Sequence, residues 1–263
     1  MRLGTVVKQN PVSLASKLLR RTSLALQTGY WHTGERCSPD FPDENFVNHF
    51  KVYRFASQFS QGKRILDVGC GTGYGASYLA ESARSVTGID LSRQAIRFAR
   101  RRYGRVGMEF LRMNAERLAF APCSFDFIIS TENFEHLSDQ RANLHEMGRV
   151  LTDDGMLLLA TPNHEMFLDV DNPFHTHELT YDEFLDLVDA SFHEYLICEN
   201  SLTPPTEGGR RMLEERRRRG HCGVDLSSQP YLWGVPVDTT CLSNTHSFFC
   251  FARAPRRGVQ TEI

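Results

Sequence analysis

The sequence predicts an α/β fold with a doubly wound, mostly parallel sheet. Between residues 61 and 200, short apolar runs typical of buried strands alternate with longer amphipathic runs typical of helices. The first apolar run, residues 65–68, leads directly into a glycine-rich loop, and a helical pattern follows from Tyr74. Parallel strands need crossover connections of this length, so helices are expected on both faces of the sheet.

The predicted elements follow one another in a regular order. Asp43 is a suitable N-cap for a helix that continues to residue 58. A turn is expected at Asp153-Asp154-Gly155, directly before the fifth strand. The remaining predictions are strands at residues 85–90, 108–113, 125–130, 156–160, 192–198 and 247–252, and helices at residues 92–104, 138–151 and 181–188.

The glycine-rich loop at residues 69–75 predicts a nucleotide-type ligand at the end of the first strand. Glycines let a ligand approach the backbone, and the amides at the following helix N-terminus face outward. The register Gly71-Thr72-Gly73-Tyr74-Gly75-Ala76 also fits the pyrophosphate pattern of NAD and FAD proteins. Asp67 argues against that alternative, because a carboxylate two residues before the first glycine suits a cationic ligand better.

The pattern Asp67-x-Gly69-x-Gly71-x-Gly73 resembles motif I of the class I S-adenosylmethionine-dependent methyltransferases. Further segments match in order across residues 30–200. The resemblance implies a seven-stranded Rossmann-like sheet whose last strand is antiparallel, with S-adenosyl-L-methionine as cofactor. It assigns the methionine end of the cofactor to Asp67, Gly69, Gly71 and Gly73, and Cys70 lies in the same loop.

Two further segments are expected to bind the adenosine part of the cofactor. Asp90 ends the second strand 19 residues after Gly71, where nucleotide-binding α/β folds place the carboxylate that binds ribose. The alternative is that Asp90 only caps the next helix. Leu91 is expected beside the adenine. The family usually has Asp-Ala where this chain has Asn114 and Ala115, and the amide oxygen of Asn114 can still accept a hydrogen bond from the adenine.

Three histidines are candidate catalytic residues for a hydroxyl acceptor, whose proton a histidine can remove. Thr131 ends the fourth strand and is an expected cofactor contact; His136 follows in a segment that resembles the Glu-His-Leu of the family. His175 and His177 follow the fifth strand, and His175 is the first candidate for the general base. A methyltransferase subgroup linked to sugar and cell-surface glycan modification carries a similar Asn-Pro-Phe-His segment followed by an acid.

No metal is predicted, although one alternative stays open. Asp169, Asp171, His175 and His177 lie within nine residues and could hold a divalent ion. The two aspartates could equally cap turns.

The chain is predicted to comprise five parts. They are an N-terminal helical cap at 1–60, a cofactor-binding core at 61–200, an inserted lid or substrate segment at 201–244, a final core strand at 245–253 and a flexible tail at 254–263. Residues 1–29 are basic and carry no acid. This segment is interpreted as a loosely packed helix, with a helix over the cofactor site, a transit peptide and weak membrane-surface contact as alternatives.

Composition limits the classes of function. A formal net charge of −2 gives no field that would attract nucleic acid, and seven cysteines without paired spacing fit a reduced, cytoplasmic compartment. The predicted function is methyl transfer to a small polar acceptor, with the hydroxyl of a sugar or glycan as the preferred acceptor. The alternatives are a quinone-like aromatic acceptor, an NAD-dependent oxidoreductase and an inactive cofactor-binding partner subunit.

Overall fold

The computed structural model describes residues 37–40, 44–166, 174–199, 207–219, 224–225, 231–232, 235–238 and 247–255. The predictions for residues 1–29, for Asp169 and Asp171, for most of the insert at 201–244 and for most of the tail lie outside these ranges.

Seven strands form the predicted sheet, and an eighth extends its edge. The strands in chain order are β1 Arg64–Val68, β2 Ser85–Asp90, β3 Met108–Arg112, β4 Phe125–Thr131, β5 Leu151–Pro162, β6 Phe192–Glu199, β7 Val224–Asp225, β8 Tyr231–Leu232, β9 Val235–Pro236 and β10 Ser247–Pro255. The order across the sheet is β3-β2-β1-β4-β5-β10-β6-β7, while β8 and β9 form a separate hairpin. Only β10 runs antiparallel to its neighbours in the eight-stranded sheet, which confirms the predicted fold class.

Helices cover both faces of this sheet. They are α1 Glu44–Ala56, α2 Tyr74–Leu79, α3 Arg93–Tyr103, α4 Gln140–Val150 and α5 Tyr181–Ser191. A further helix, α6 Glu207–Arg219, lies in the insert. The side chain of Ser92 accepts a hydrogen bond from the amide of Ala95 and so begins α3. Thr180 and Glu183 form a reciprocal capping box that begins α5. None of the helices within the described ranges combines the length and hydrophobicity needed to cross a bilayer.

Alternate residues of the central strands face two separate hydrophobic cores. Leu66 and Ile128 pack with residues of α4 and α5 on one face. Their neighbours Ile65 and Phe127 pack with residues of α1, α2 and α3 on the other face. Because side chains alternate along a strand, a strand that is apolar at every position must be covered on both sides.

The turn expected at Asp153-Asp154-Gly155 is wrong. These residues lie within β5, which begins directly after α4. The pairing of β4 with β5 shifts register between Phe125 and Phe127, so the polar residues occupy an irregular part of the ladder.

The strand ends place the expected functional residues at one edge of the sheet. Val68, at the end of β1, pairs with Ile89 of β2 and with Ser130 of β4. The chain therefore leaves all three parallel strands at the same level, which is where open α/β sheets bind their ligands.

Candidate active site

The glycine loop after β1 has backbone conformations that need glycine. Gly69 and Gly73 have φ angles of +77° and +84°. A Cβ atom on Gly69 would lie 2.4 Å from the side chain of Asn133, and one on Gly73 would lie 2.8 Å from Ala99 and Phe110. The first glycine therefore lets the segment after β4 pack over the loop, and the second lets the loop pack against α3 and β3.

Cys70 belongs to the loop through its backbone. Its amide and that of Gly69 donate to the carbonyl oxygen of Ile89 at 2.8 and 2.9 Å. Its side chain is buried in the core beneath the loop, and burial raises the pKa of the thiol. The backbone of Cys70, and not its sulfur, is thus the part available to shape a ligand site.

Asp67 is a fully buried carboxylate at the base of the loop. Its Oδ1 accepts a hydrogen bond of 3.0 Å from the hydroxyl of Tyr53 on α1. Burial raises the pKa of Asp67 to about 7; the Tyr53 hydroxyl opposes this rise, Asp90 adds to it and the Ala76 amide opposes it. Its Oδ2 has no partner of normal hydrogen-bond geometry among the described residues. A buried carboxylate with one unmatched oxygen fits a ligand that carries positive charge, as S-adenosylmethionine does.

Asp90 connects the end of β2 to the glycine loop. Its Oδ2 accepts a hydrogen bond of 3.0 Å from the amide of Gly71, and its Oδ1 accepts one of 2.7 Å from the amide of Ser92. Ser92 itself provides the N-cap of α3, so capping does not account for Asp90. The side chain of Leu91 beside it is 63% exposed, an unusual exposure for a leucine that fits a ligand-facing position.

The segment after β3 holds Asn114 and Ala115 in a turn. The amide oxygen of Asn114 accepts a hydrogen bond of 2.9 Å from the amide of Glu116, while Ala115 is buried. Glu116 was not predicted as a site residue, yet its Oε1 accepts three hydrogen bonds of 2.7 to 2.9 Å from Ser138 and Asp139. Burial opposes the ionisation of Glu116, but these donors lower its pKa. Glu116 thus ties the turn after β3 to the start of α4.

The chain bends sharply as it leaves β4. Thr131 is buried, and its hydroxyl oxygen has no hydrogen-bond partner among the described residues. Glu132 follows with a φ of +47°, and it accepts a hydrogen bond of 3.0 Å from Ser247 of β10. The bend aims the next residues back over the glycine loop, where the side chain of Asn133 lies against Gly69.

His136 and His175 are brought together from segments that are 39 residues apart in the chain. Their ring centroids lie 5.0 Å apart in an edge-to-face arrangement. Nδ1 of His136 lies 2.9 Å from the carbonyl oxygen of Phe174, and Nδ1 of His175 contacts the carboxylate of Glu178. Both partners can only accept, so each Nδ1 carries a proton and each Nε2 carries the lone pair of the neutral ring.

Glu178 is held as a carboxylate by these neighbours. The hydrogen bond from His175 is the main cause that lowers the pKa of Glu178; burial opposes it, and His164, whose Nδ1 lies 3.6 Å away, lowers it further. His175 therefore has the carboxylate partner that a general base uses to stabilise its protonated form.

Backbone hydrogen bonds fix the position of the second histidine segment. The amide of Thr176 donates to the carbonyl oxygen of Glu135 at 2.8 Å, and its hydroxyl donates to that of His136 at 3.2 Å. Gln140 donates to the carbonyl oxygens of Phe134 and His177, each at 3.0 Å. His177 itself is exposed, with Nε2 3.7 Å from Glu183 at the start of α5, so it lies outside the pair.

Glu135 is a buried acid next to His136, and it was not predicted as a site residue. Its Oε2 accepts a hydrogen bond of 3.0 Å from Thr161 at the end of β5, and its Oε1 lies 3.9 Å from Nε2 of His136. Glu135, His136 and His175 could together hold a metal ion. The sequence could have indicated a role for Glu135, because this acid stands next to a candidate histidine just after the central strand β4.

Comparisons with known proteins agree with this geometry. A family profile described as a methyltransferase domain matches residues 66–159. A probable S-adenosylmethionine-dependent methyltransferase of Mycobacterium tuberculosis is 38% identical over 211 residues, which cover 78% of this chain and 74% of the relative. A fatty-acid O-methyltransferase of Mycolicibacterium smegmatis is 36% identical over 128 residues, which cover 46% of this chain and 47% of that protein.

A solved structure shows the same fold at low sequence identity. An S-adenosylmethionine-dependent methyltransferase from Mesorhizobium loti superimposes with a TM-score of 0.53 at 17% identity, covering 80% of this chain and 98% of that one. The M. tuberculosis relative aligns over most of both chains. It is a probable methyltransferase, which speaks against the alternative of an NAD-dependent oxidoreductase. The chain belongs to the S-adenosylmethionine-dependent methyltransferases, and S-adenosyl-L-methionine is its cofactor.

Proposed function

We propose that the protein is an O-methyltransferase that transfers the methyl group of S-adenosylmethionine to a hydroxyl of a small acceptor. The main support is the hydrogen bond from Nδ1 of His175 to Glu178. The ring of His175 lies next to that of His136, which follows the end of β4. A hydroxyl must lose its proton to become a good nucleophile, whereas many other acceptors need no such base. A neutral histidine whose other nitrogen is held by a carboxylate provides that base.

The cofactor is proposed to lie across the ends of β1, β2 and β4. Asp67 faces its positively charged methionine end, over the backbone of the glycine loop. Asp90 binds the ribose hydroxyls, since its carboxylate lies at the amide of Gly71 and has further acceptor capacity. Adenine lies between the exposed Leu91 and the turn at Asn114 and Ala115, and the buried hydroxyl of Thr131 faces the cofactor.

The reaction then follows from the position of His175. Its Nε2 takes the proton of the acceptor hydroxyl, and Glu178 stabilises the charged ring. The acceptor oxygen attacks the methyl carbon, the carbon–sulfur bond breaks and its electron pair returns to sulfur, which gives S-adenosylhomocysteine. Holding the acceptor in line with that bond provides much of the acceleration. His136 is the second candidate for the base.

A sugar hydroxyl remains the preferred acceptor, and a lipid hydroxyl is the second candidate. The subgroup linked to glycan modification supports the first. The second is favoured by Phe174, whose side chain is 57% exposed directly beside the histidine pair, and by the similarity to a fatty-acid O-methyltransferase. The insert at 201–244 is proposed as the substrate segment.

The test is an acceptor screen with S-adenosylmethionine labelled in its methyl group. Sugars, nucleotide sugars and hydroxylated or free fatty acids are compared, with His175→Ala and His145→Ala as the two variants. His145 lies exposed on α4 beside Glu146 and serves as the matched control. We expect His175→Ala to lose about 10²- to 10⁴-fold in turnover with little change in cofactor affinity. Full activity of this variant, or transfer only to nitrogen or carbon, would overturn the proposal.

A further inference from the structure

We propose that Glu135, His136 and His175 form a binding site for a divalent transition-metal ion. One ligand atom from each residue lies within 4.8 Å of the ligand atoms of the other two. Two imidazoles and one carboxylate are a donor set that suits Zn²⁺, Mn²⁺ or Co²⁺ better than Mg²⁺ or Ca²⁺, which prefer oxygen alone. The inference rests on the proposed function, because the ion binds the acceptor oxygen of the same reaction.

Hydrogen bonds already orient both histidines as metal ligands. A histidine that binds a metal donates its other N–H to a carboxylate or a backbone carbonyl, which fixes the ring and its tautomer. Here Nδ1 of His136 faces the carbonyl oxygen of Phe174, and Nδ1 of His175 faces the carboxylate of Glu178. Nε2 is therefore the nitrogen that each ring offers to an ion.

The carboxylate of Glu135 completes the set from the buried side. Thr161 holds its Oε2, while its Oε1 lies 3.9 Å from Nε2 of His136. In this tautomer a nitrogen lone pair and a carboxylate oxygen face each other across this gap, and a cation between them makes the arrangement favourable. Ligand bonds of about 2.0 to 2.2 Å put two ligand atoms roughly 3 to 4 Å apart, so small movements close the site.

The site is rigid on one side and open on the other. Thr176 ties the second histidine segment to the carbonyl oxygens of Glu135 and His136. The side chain of Glu135 is 1% exposed, whereas that of His136 is 34% exposed. Three protein ligands leave at least one position on the ion for the acceptor oxygen, as catalytic metal sites do.

The ion changes how the acceptor loses its proton. A hydroxyl bound to a divalent ion is more acidic, so its proton passes to water and the bound oxygen attacks the methyl carbon. The Nε2 lone pair of His175 then holds the ion and cannot also take the proton. The metal-bound and metal-free mechanisms therefore exclude each other in a single turnover, and experiment can separate them.

The test uses the full chain after treatment with a chelator, with Co²⁺ followed by visible absorption and Zn²⁺ by calorimetry, both without acceptor. We expect one ion per chain. His136→Gln and His175→Gln should weaken its binding by at least about 10-fold, and Glu178→Gln by about 10- to 100-fold through loss of the outer partner. His145→Gln should bind the ion as the unchanged chain does. Binding of S-adenosylhomocysteine shows that each variant is folded.

The outcomes separate this inference from the proposed function. The metal site would be overturned if no ion binds, or if both His→Gln variants bind it as tightly as the unchanged chain. Undiminished methylation of a hydroxyl in EDTA would then leave the metal-free mechanism in place. Binding that depends on these residues, together with transfer only to nitrogen or carbon, would support the metal site and overturn the proposed function.

Discussion

Tyr53 donates a hydrogen bond of 3.0 Å to Asp67, and both side chains are buried. The donor comes from a helix that precedes the first strand, and the acceptor lies at the base of the cofactor loop. Burial and the nearby Asp67 raise the pKa of Tyr53, so its hydroxyl remains a donor at neutral pH. The charge of Asp67, and with it the affinity for a cationic ligand, should depend on this contact.

Cofactor binding should therefore depend on pH near neutrality. Burial raises the pKa of Asp67 to about 7, so the carboxylate is largely neutral below that pH and charged above it. We expect the affinity for S-adenosylmethionine to fall as the pH is lowered from 8 to 6, as measured by calorimetry. Asp67→Asn should bind weakly and show little of this dependence. An equal pH dependence in both proteins would assign the effect to another group.

The stability of the cofactor-free chain should change with pH in the opposite direction to the cofactor affinity. Between the ordinary pKa of an aspartate and about 7, the folded chain keeps a proton on Asp67 that the unfolded chain has lost. The contribution of Asp67 to the free energy of unfolding is thus present at low pH and is lost as the pH rises through this window. Relative to Asp67→Asn, the unfolding temperature of the unchanged chain should fall between pH 4 and pH 7. A constant difference between the two would contradict the raised pKa.

Removing the hydroxyl of Tyr53 should shift the pH at which cofactor binding is lost. Tyr53→Phe keeps the ring, which packs against Tyr74, but removes the donor that opposes the rise in the pKa of Asp67. We expect a weaker affinity for S-adenosylmethionine at pH 7, by about 3- to 10-fold, and recovery at higher pH. The matched control is Tyr195→Phe on β6, which removes a hydroxyl that donates to Asp189 of α5. A loss of affinity that is the same at every pH would indicate changed packing around the ring of residue 53 instead.

The order of the elements could be predicted from the sequence, but contacts between distant segments could not. Alternating apolar runs located the central strands, because a strand covered on both faces is apolar at nearly every position. The polar start of β5 was missed, because irregular pairing with β4 accommodates Asp153 and Asp154 within the strand. Hydrophobic periodicity reports which face of one element is buried and carries no information on the partner of a polar side chain.

In the candidate site, too, local patterns could be predicted from the sequence, whereas contacts between distant segments could not. The positions of Asp67 and Asp90 follow from local patterns, an acid at the end of a strand beside a glycine loop. The approach of His136 to His175, next to the buried carboxylate of Glu135, depends on contacts between residues 174–178 and the turn after β4. His177 shares the local pattern of His175 but pairs with Glu183 on the surface.

Loss of the carboxylate at residue 90 should weaken the cofactor strongly. Asp90→Ala removes both the proposed ribose contact and the acceptor for the amide of Gly71. We expect a loss of at least about 10-fold in affinity for S-adenosylmethionine, the scale of one charge-assisted hydrogen bond. Glu109→Ala, at an exposed position of the neighbouring strand, is the control. An unchanged affinity by calorimetry would remove Asp90 from the site.

Two glycines allow the ligand-facing role of the loop to be separated from backbone strain. Gly71 and Gly62 have φ angles of +52° and +69°, and a Cβ atom on either would meet nothing within 4 Å in the described structure. Replacing either by alanine should therefore cost a similar amount of stability, about 1 kcal/mol from the left-handed backbone. Gly62 lies in the turn before β1, at the opposite end of the strand from the loop, so Gly62→Ala should bind S-adenosylmethionine normally. Gly71→Ala should lose at least about 10-fold, because its methyl group fills space that the cofactor approaches. Equal affinities of the two variants at equal unfolding temperatures would mean that the cofactor does not contact the backbone at Gly71.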